Sequence, residues 1–290
     1  MFASITLFTI MLALGMGLKL EALGRIRQRP GLFLRVLPAS CLLVPLLALA
    51  VLHLPVGQGL APSARIGLAL MAVCPSAPLT LRKAGKKGGD RELAAVLQVG
   101  AAISAIVSVP LMADVYRAAY STTSWDIGPV EVALQVGRTQ VLPLVLGMGI
   151  QGWKPGLADR IESPLNRVAN GLLLLLIAAV LFKAGPKLLP FMAANAMGLV
   201  LMVLMVGLCL GLGYALAGPN RLERITVALV TSMRNPGMAL MFATTYARDL
   251  PGVSVAVLTY VLVTVLLSIP FLQSLNRLEV LKTGGDTLTA

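Results

Sequence analysis

Thr231-Ser232-Met233-Arg234-Asn235-Pro236-Gly237 sits at the middle of an apolar stretch from about residue 224 to 247, and Cys74-Pro75-Ser76-Ala77-Pro78 at the middle of another, from about 63 to 84. A proline inside a helix removes one backbone donor and clashes with the preceding turn. In hydrocarbon the groups it frees have no water to turn to, so protein or a wet cavity must cover them. For either stretch alone, a kink sealed by neighbouring Ser and Thr is the simpler reading. The matched pair predicts two broken helices that meet inside a bundle, gathering half-helix dipole ends and unpaired backbone groups at one point, as at a substrate or ion site. Ser76, Ala77, Thr231, Ser232 and Asn235 are then candidate pathway residues, and Pro75, Pro78, Pro236 and Gly237 mark the breaks.

The rest of the chain says what surrounds that point. It is 57% hydrophobic and 12% charged, with a mean hydropathy of +0.87, more apolar than a folded surface in water can be. Punctuation by Gly, Pro and charge gives nine spans: 2–20, 32–54, 63–84, 92–113, 129–151, 166–183, 190–217, 224–247 and 252–274. The net charge of +12 is carried by basic residues in short loops, which is a topology signal and not a nucleic-acid surface. Of the 24 Lys and Arg, 17 fall on one side of the membrane, Lys19, Arg91 and Arg167 among them. That side is expected to be cytoplasmic, giving an inner-membrane, multi-pass bacterial protein with its N-terminus outside and its C-terminus inside. Tyr116, Tyr120 and Trp125 at the outer boundary and Trp153 at the inner one agree.

Pro30, Pro75 and Ser108-Val109-Pro110 recur as Pro190, Pro236 and Ser268-Ile269-Pro270 at an offset of 160 or 161. That offset is five spans, an odd number, so the second copy is inverted relative to the first. The chain thus reads as one all-α transmembrane domain, 1–290. Its inverted four-helix halves, about 2–113 and 166–274, are joined by an unmatched helix at 129–151, and the third and eighth spans are the crossed broken helices. A flexible tail is expected at 283–290.

Arg234 is the residue that needs explaining. A central arginine costs about 2.5 to 3.5 kcal/mol on insertion scales and is expected to face the bundle interior. Of 12 acidic residues only Glu131 lies within a span, near its outer end, so no carboxylate is at hand. The guanidinium either grips a substrate carboxylate through two hydrogen bonds or is satisfied by the freed carbonyls and water. Arg138 stands seven residues from Glu131 on one helix face, a candidate structural pair or a weaker pathway residue. Thr80 is a further weak candidate. Gln98, Gln135 and Asn195 fit bridges between helices better than ligand contacts. Cys41, Cys74 and Cys209 have no metal-ligand spacing, so no metal site is expected, and no catalytic constellation lies at membrane depth.

These residues resemble the bile acid:sodium symporter family along nearly the whole chain. Leu14-Gly15-Met16-Gly17-Leu18, followed by Arg29-Pro30, looks like its Gly-Met-Gly-Leu helix. Ala72-Val73-Cys74-Pro75 resembles its first broken helix, and Met233-Arg234-Asn235-Pro236-Gly237-Met238-Ala239-Leu240 its second. The resemblance implies a nine-helix member of that fold and secondary active transport of a small organic anion by alternating access. Sodium-binding relatives carry a Glu followed four residues later by Gln-Asn, where this chain has Val230 and Arg234-Asn235. In the first break Ser76-Ala77-Pro78 replaces their Gly-Gly and Ser-Asn residues. Sodium, which wants several oxygens and negative charge, is therefore doubtful as coupling ion. Arg234 would stand in for the bound cation, and transport would be sodium-independent or proton-linked, with no resident cofactor. An auxin-efflux-type carrier, a channel and a passive scaffold are the competing readings.

Overall fold

The structure, a computed structural model, describes residues 2–76, 89–120, 128–247, 249–250 and 252–286, and the side chains of these apart from residues 20, 183, 184 and 276–286. About 90% of it is helix, with no strand among the described residues. The helices are α1 (Phe2–Gly17), the short α2 (Gly24–Gln28), α3 (Pro30–His53), α4 (Pro62–Val73) and α5 (Arg91–Tyr120). After them come α6 (129–153), α7 (Pro155–Ala194), α8 (Ala196–Leu216), α9 (Arg221–Ser232), α10 (Pro236–Tyr246) and α11 (Gly252–Asp286).

Five of these are long and apolar enough to cross a bilayer, in segments Pro30–His53, Arg91–Tyr120, Pro155–Phe182, Ala196–Leu216 and Gly252–Leu275; a sixth arises if α1 and the bent segment after it count as one. The other predicted spans fall on interrupted helices. α4 stops at Val73, α9 and α10 are separated by the break at Met233–Asn235, and α6 contains a π-bulge at Gly137–Val141. A second π-bulge, Ala39–Leu43, interrupts α3 between Pro38 and Pro45.

One expected boundary is displaced. The sequence separates two spans between 183 and 190, but α7 continues through Pro186 and Pro190 to Ala194 and the chain breaks at Asn195. Each proline forfeits one helical bond, which a helix can absorb; Asn195 ends the helix because its backbone turns out of the helical region (φ −121°, ψ 42°) and its side chain takes the Phe191 carbonyl (2.9 Å). The residues after Lys282 carry no apolar pattern, yet α11 extends to Asp286.

The helices fall into two groups. α1, α6 and α7 pack on one another, and α3, α4, α5, α8, α9 and α11 gather around the breaks, with α5 against α6 and α7 against α11 joining the two bodies. Close approaches rely on missing side chains: a Cβ on Gly15 or Gly147 would strike the backbone of the facing helix between α1 and α6, and one on Gly213 would strike Ala228 and Val227 of α9. The buried apolar core runs from Leu68, Val96 and Leu97 to Val227, Leu229 and Val257, while Leu174, Leu175 and Phe182 of α7 are exposed on the lipid-facing side.

Candidate functional site

The two breaks touch directly. α4 ends where Cys74 turns extended (ψ 100°), α9 ends at Ser232, and α10 begins at Pro236. Between them the Asn235 amide donates to the Cys74 carbonyl (3.3 Å). Asn235 also caps α10, its Oδ1 accepting from Met238 N–H (3.1 Å). Its Nδ2 is buried with no acceptor among the described residues. Ser76 carries the one positive φ of a described non-glycine residue, 21°, and is held there by a two-way clasp: Ser76 Oγ donates to Gln98 Oε1 (2.7 Å) and Gln98 Nε2 to Ser76 O (3.0 Å), all buried.

Arg234 fills the angle between the breaks and is 2% exposed. Nε donates to Met71 O (3.2 Å), Nη1 to Ser40 Oγ (3.0 Å) and Thr231 O (3.4 Å), and Nη2 to Ser40 O (3.0 Å) and Ala72 O. All five N–H groups are used, and none of the acceptors is a carboxylate.

Each carbonyl is one that the fold leaves without its own amide. Met71 O would accept from residue 75, which is proline. Ala72 O would accept from Ser76, but the helix has ended. Thr231 O would accept from Asn235, whose amide has gone to Cys74. In α3 the bulge puts Val44 N–H on Ala39 O, five residues back, so the next bond in that register would run from residue 45 to Ser40 O, and residue 45 is proline. The guanidinium therefore satisfies four orphaned carbonyls on three interrupted helices at once, which accounts for a buried charge here.

The other candidates are distributed unevenly. Thr231 Oγ1 and Ser232 Oγ are buried and bond their own helix, to Val227 O (2.8 Å) and Leu229 O (3.4 Å). Gly237 lies on the first turn of α10 facing Leu7 of α1. Ala77, Pro78 and Thr80 lie outside the described residues. Arg138 stands on the α6 bulge, exposed, and the pairing with Glu131 is not made: Glu131 is likewise exposed and absent from the ion pairs of the described residues. Seven residues put the two on one face but about 10.5 Å apart along the helix axis, beyond the reach of i,i+3 and i,i+4 pairs.

A cavity of about 740 Å³ opens on the seam between the two bodies, bounded by the C-terminal half of α1, the first turns of α5 and the N-terminal half of α7. Leu14 and Leu173 give it apolar wall; Ser163, Asn166 and Asn170 give it polar wall. Lys19, Arg91 and Arg167 also line it, and none has an ion pair among the described residues, whereas Glu92 is paired with Arg25 (2.9 Å) and Glu162 accepts from Asn166 (3.1 Å). Sequence reasoning used these three cations only for topology; the feature that could have singled them out is that Ser163, Asn166, Arg167 and Asn170 recur at helical spacing along one stripe of α7.

Beside the cavity, Arg25 on α2 also binds Asp90 (2.5 Å), and Arg29 binds Glu223. The Asp90 amide donates to Thr226 Oγ1 (2.7 Å), tying the starts of α5 and α9 together. Burial works to raise the Asp90 pKa, but the Leu93 amide and the Arg25 guanidinium outweigh it and hold the carboxyl below its ordinary value. The hydrogen bond to Asp90 correspondingly raises that of Arg25.

No curated protein matches the chain. A family model does, over residues 4–191, a stretch that holds α1, the bulged α3, the first break and all the cavity-lining helices. With that match beside two touching helix breaks and an all-helical, multi-pass architecture, the chain belongs to the sodium bile acid symporter family.

Proposed function

We propose that the protein is a secondary active transporter that carries a small organic anion across the bacterial inner membrane by alternating access, and that Arg234 is a tethered cation standing where a mobile coupling ion would otherwise bind. The family is one of transporters, in general sodium-coupled and acting on organic anions, and the helices make this a multi-pass membrane protein. The observation that carries the finer reading is the cage around Arg234: four carbonyl oxygens and one hydroxyl converge on a single positive charge. Such an oxygen shell suits a hard monovalent cation, and here the guanidinium takes all of it. Among the described residues this point offers sodium no oxygen that the guanidinium does not already hold, which supports a reading in which a proton or no ion is the coupling partner.

With its fork engaged, Arg234 acts on substrate through its field and not through a bidentate grip. The buried Asn235 Nδ2 at the start of α10 is the donor left over at the crossing. The seam cavity supplies the entry, its three cations, which have no ion pair among the described residues, attracting an anion of a size its 740 Å³ admits. Nine spans in two inverted halves, N-terminus outside, would put this cavity at the cytoplasmic end, because Lys19, Arg91 and Arg167 belong to the basic side.

The test is a thermal-shift screen of the purified protein against taurocholate and short mono- and dicarboxylates, in sodium chloride and in choline chloride of equal ionic strength. A ligand of the native state raises the melting temperature, and the expected shift is the same in both salts. Stabilisation confined to sodium overturns the tethered cation; no stabilisation by any of these anions, the sulfonate taurocholate included, overturns the organic anion.

A further inference from the structure

The seam that holds the cavity is not open along its length. The C-terminal half of α1 lines the cavity through Ile10, Leu14 and Gly17, but its N-terminal half lies against α10, with Leu7 2% exposed and facing Gly237. Further from the cavity, at the last turn of α10, Tyr246 Oη donates to Gln135 Oε1 of α6 at 2.8 Å. α6 packs with α1 and α7, and α10 lies at the seam, in contact with α4 and α11 on one side and with α1 on the other. Both residues are half-buried, and the Phe242 ring lies tilted against that of Tyr246, with centroids 5.9 Å apart. Gln135 sits on the turn just before the α6 bulge, where Thr139 Oγ1 takes the Gln135 carbonyl (2.7 Å).

From this geometry we infer that the Tyr246–Gln135 hydrogen bond is a gate, closing the end of the seam opposite the cavity. It is a neutral side-chain bond spanning two bodies that must part there if the cavity is to close at one end and open at the other. Among the described residues no ion pair joins α6 to α10 at this level, and the apolar side chains packed there can exchange one another for lipid far more cheaply than for water. A single hydrogen bond is a suitable latch because its net worth is modest: strong enough to bias the two states, weak enough to break in each cycle. The inference rests on the reading of the protein as an alternating-access carrier.

The experiment uses two single-cysteine reporters, Leu7→Cys beside the closed seam and Leu173→Cys on the cavity wall, each in protein whose own three cysteines are buried. A membrane-impermeant maleimide is applied to oriented vesicles from the side opposite the cavity for the first and from the cavity side for the second. Tyr246→Phe and Gln135→Leu are each expected to raise labelling of Cys at position 7 roughly three- to tenfold, the range one net hydrogen bond gives, and to slow labelling at position 173. The double variant adds nothing beyond either single one, since both remove the same bond. Two independent single variants guard against one that folds poorly, and a melting curve on each identifies it. Labelling at position 7 that is measurable but equal in all four proteins overturns the gate and leaves the carrier intact. No labelling at position 7 in any of them overturns both.

Discussion

The crossing of the broken helices and the seam cavity both carry positive charge, and they use it in opposite ways. At the crossing one guanidinium has five oxygen partners and is 2% exposed; at the cavity Lys19, Arg91 and Arg167 are unpaired among the described residues and line open space. A buried charge must find hydrogen bonds from the protein itself or it is not tolerated. A charge at a wet rim pays little for standing alone and stays available to a ligand. The central arginine is therefore a component of the fold that projects a field, and the rim cations are the groups that meet an arriving anion.

Arg234→Ala is the largest available break in this comparison. It strips the acceptors Met71 O, Ala72 O, Thr231 O and Ser40 O of their donor, and a buried orphan costs about 1–3 kcal/mol, so a loss of roughly 3 kcal/mol or more is expected. The measurement is the melting temperature in detergent, with Arg234→Lys falling between wild type and Ala because it restores the charge with three donors instead of five. Guanidinium ion at millimolar concentration is expected to raise the Arg234→Ala melting temperature and leave wild type unmoved. An Arg234→Ala protein as stable as wild type would mean the carbonyls are not orphaned, and the account of this site would fail.

The rim predicts the reverse pattern. Replacing Arg167, Arg91 or Lys19 with Gln leaves the unfolding free energy of the unliganded protein within about 0.5 kcal/mol of wild type. Each weakens a stabilising carboxylate, by about tenfold in Kd where the charge makes a charge-assisted bond, equivalent to about 1.4 kcal/mol. Titration of the thermal shift in the three variants separates a charge that touches ligand from one that only steers it, since steering is lost at high ionic strength. Loss of unliganded stability without loss of affinity would assign these residues to the fold and erase the contrast with Arg234.

The crossing was more legible in the sequence than the cavity, for a physical reason. Proline announces its effect on a helix wherever it stands, so Pro75 and Pro236 locate the breaks, and an arginine inside an apolar run announces that something must receive it. What receives it is backbone, and a carbonyl carries no residue type. Ser40 was missed on that account, although Pro45, five residues on, is the reason its carbonyl is free. Gln98 reads correctly as a bridge but not as the clasp on Ser76, because their pairing depends on how two helices are placed. The Arg138–Glu131 pairing fails on distance: seven residues share a face but are about 10.5 Å apart along the axis, a separation that same-face periodicity does not report. The cavity is a gap between bodies, and no local pattern encodes a gap.

Ser40→Ala sharpens the comparison at smaller scale. It removes the hydroxyl from Nη1 but keeps the Ser40 carbonyl on Nη2 and the Thr231 carbonyl on Nη1 at 3.4 Å, so about 1 kcal/mol of stability is expected to go. Denaturant or thermal unfolding of the two single variants and Ser40→Ala/Arg234→Ala measures the coupling. If the hydroxyl serves only the guanidinium, the double variant loses less than the sum of the singles.

The smallest effect belongs to the ion pairs beside the cavity, where charges are paired but partly solvated. The Asp90 carboxyl is held below the ordinary aspartate pKa of about 3.9. A depressed folded value means the unfolded chain takes up the proton first. The contribution is therefore complete above about pH 4 and is lost as pH falls from there through the folded value. Asp90→Asn also retains an oxygen for the Leu93 amide, so what it removes is the charge facing Arg25. At neutral pH it is expected to cost at most about 1 kcal/mol, as partly exposed pairs do, and 1 M salt should narrow the gap to wild type because screening weakens the pair. Below about pH 4 the wild-type melting temperature falls more steeply than that of the variant, and the two curves converge. Parallel curves across that range would show that Arg25 and Asp90 meet in the structure without either stabilising the other, leaving Arg29 and Glu223 as the tie between α2 and the start of α9.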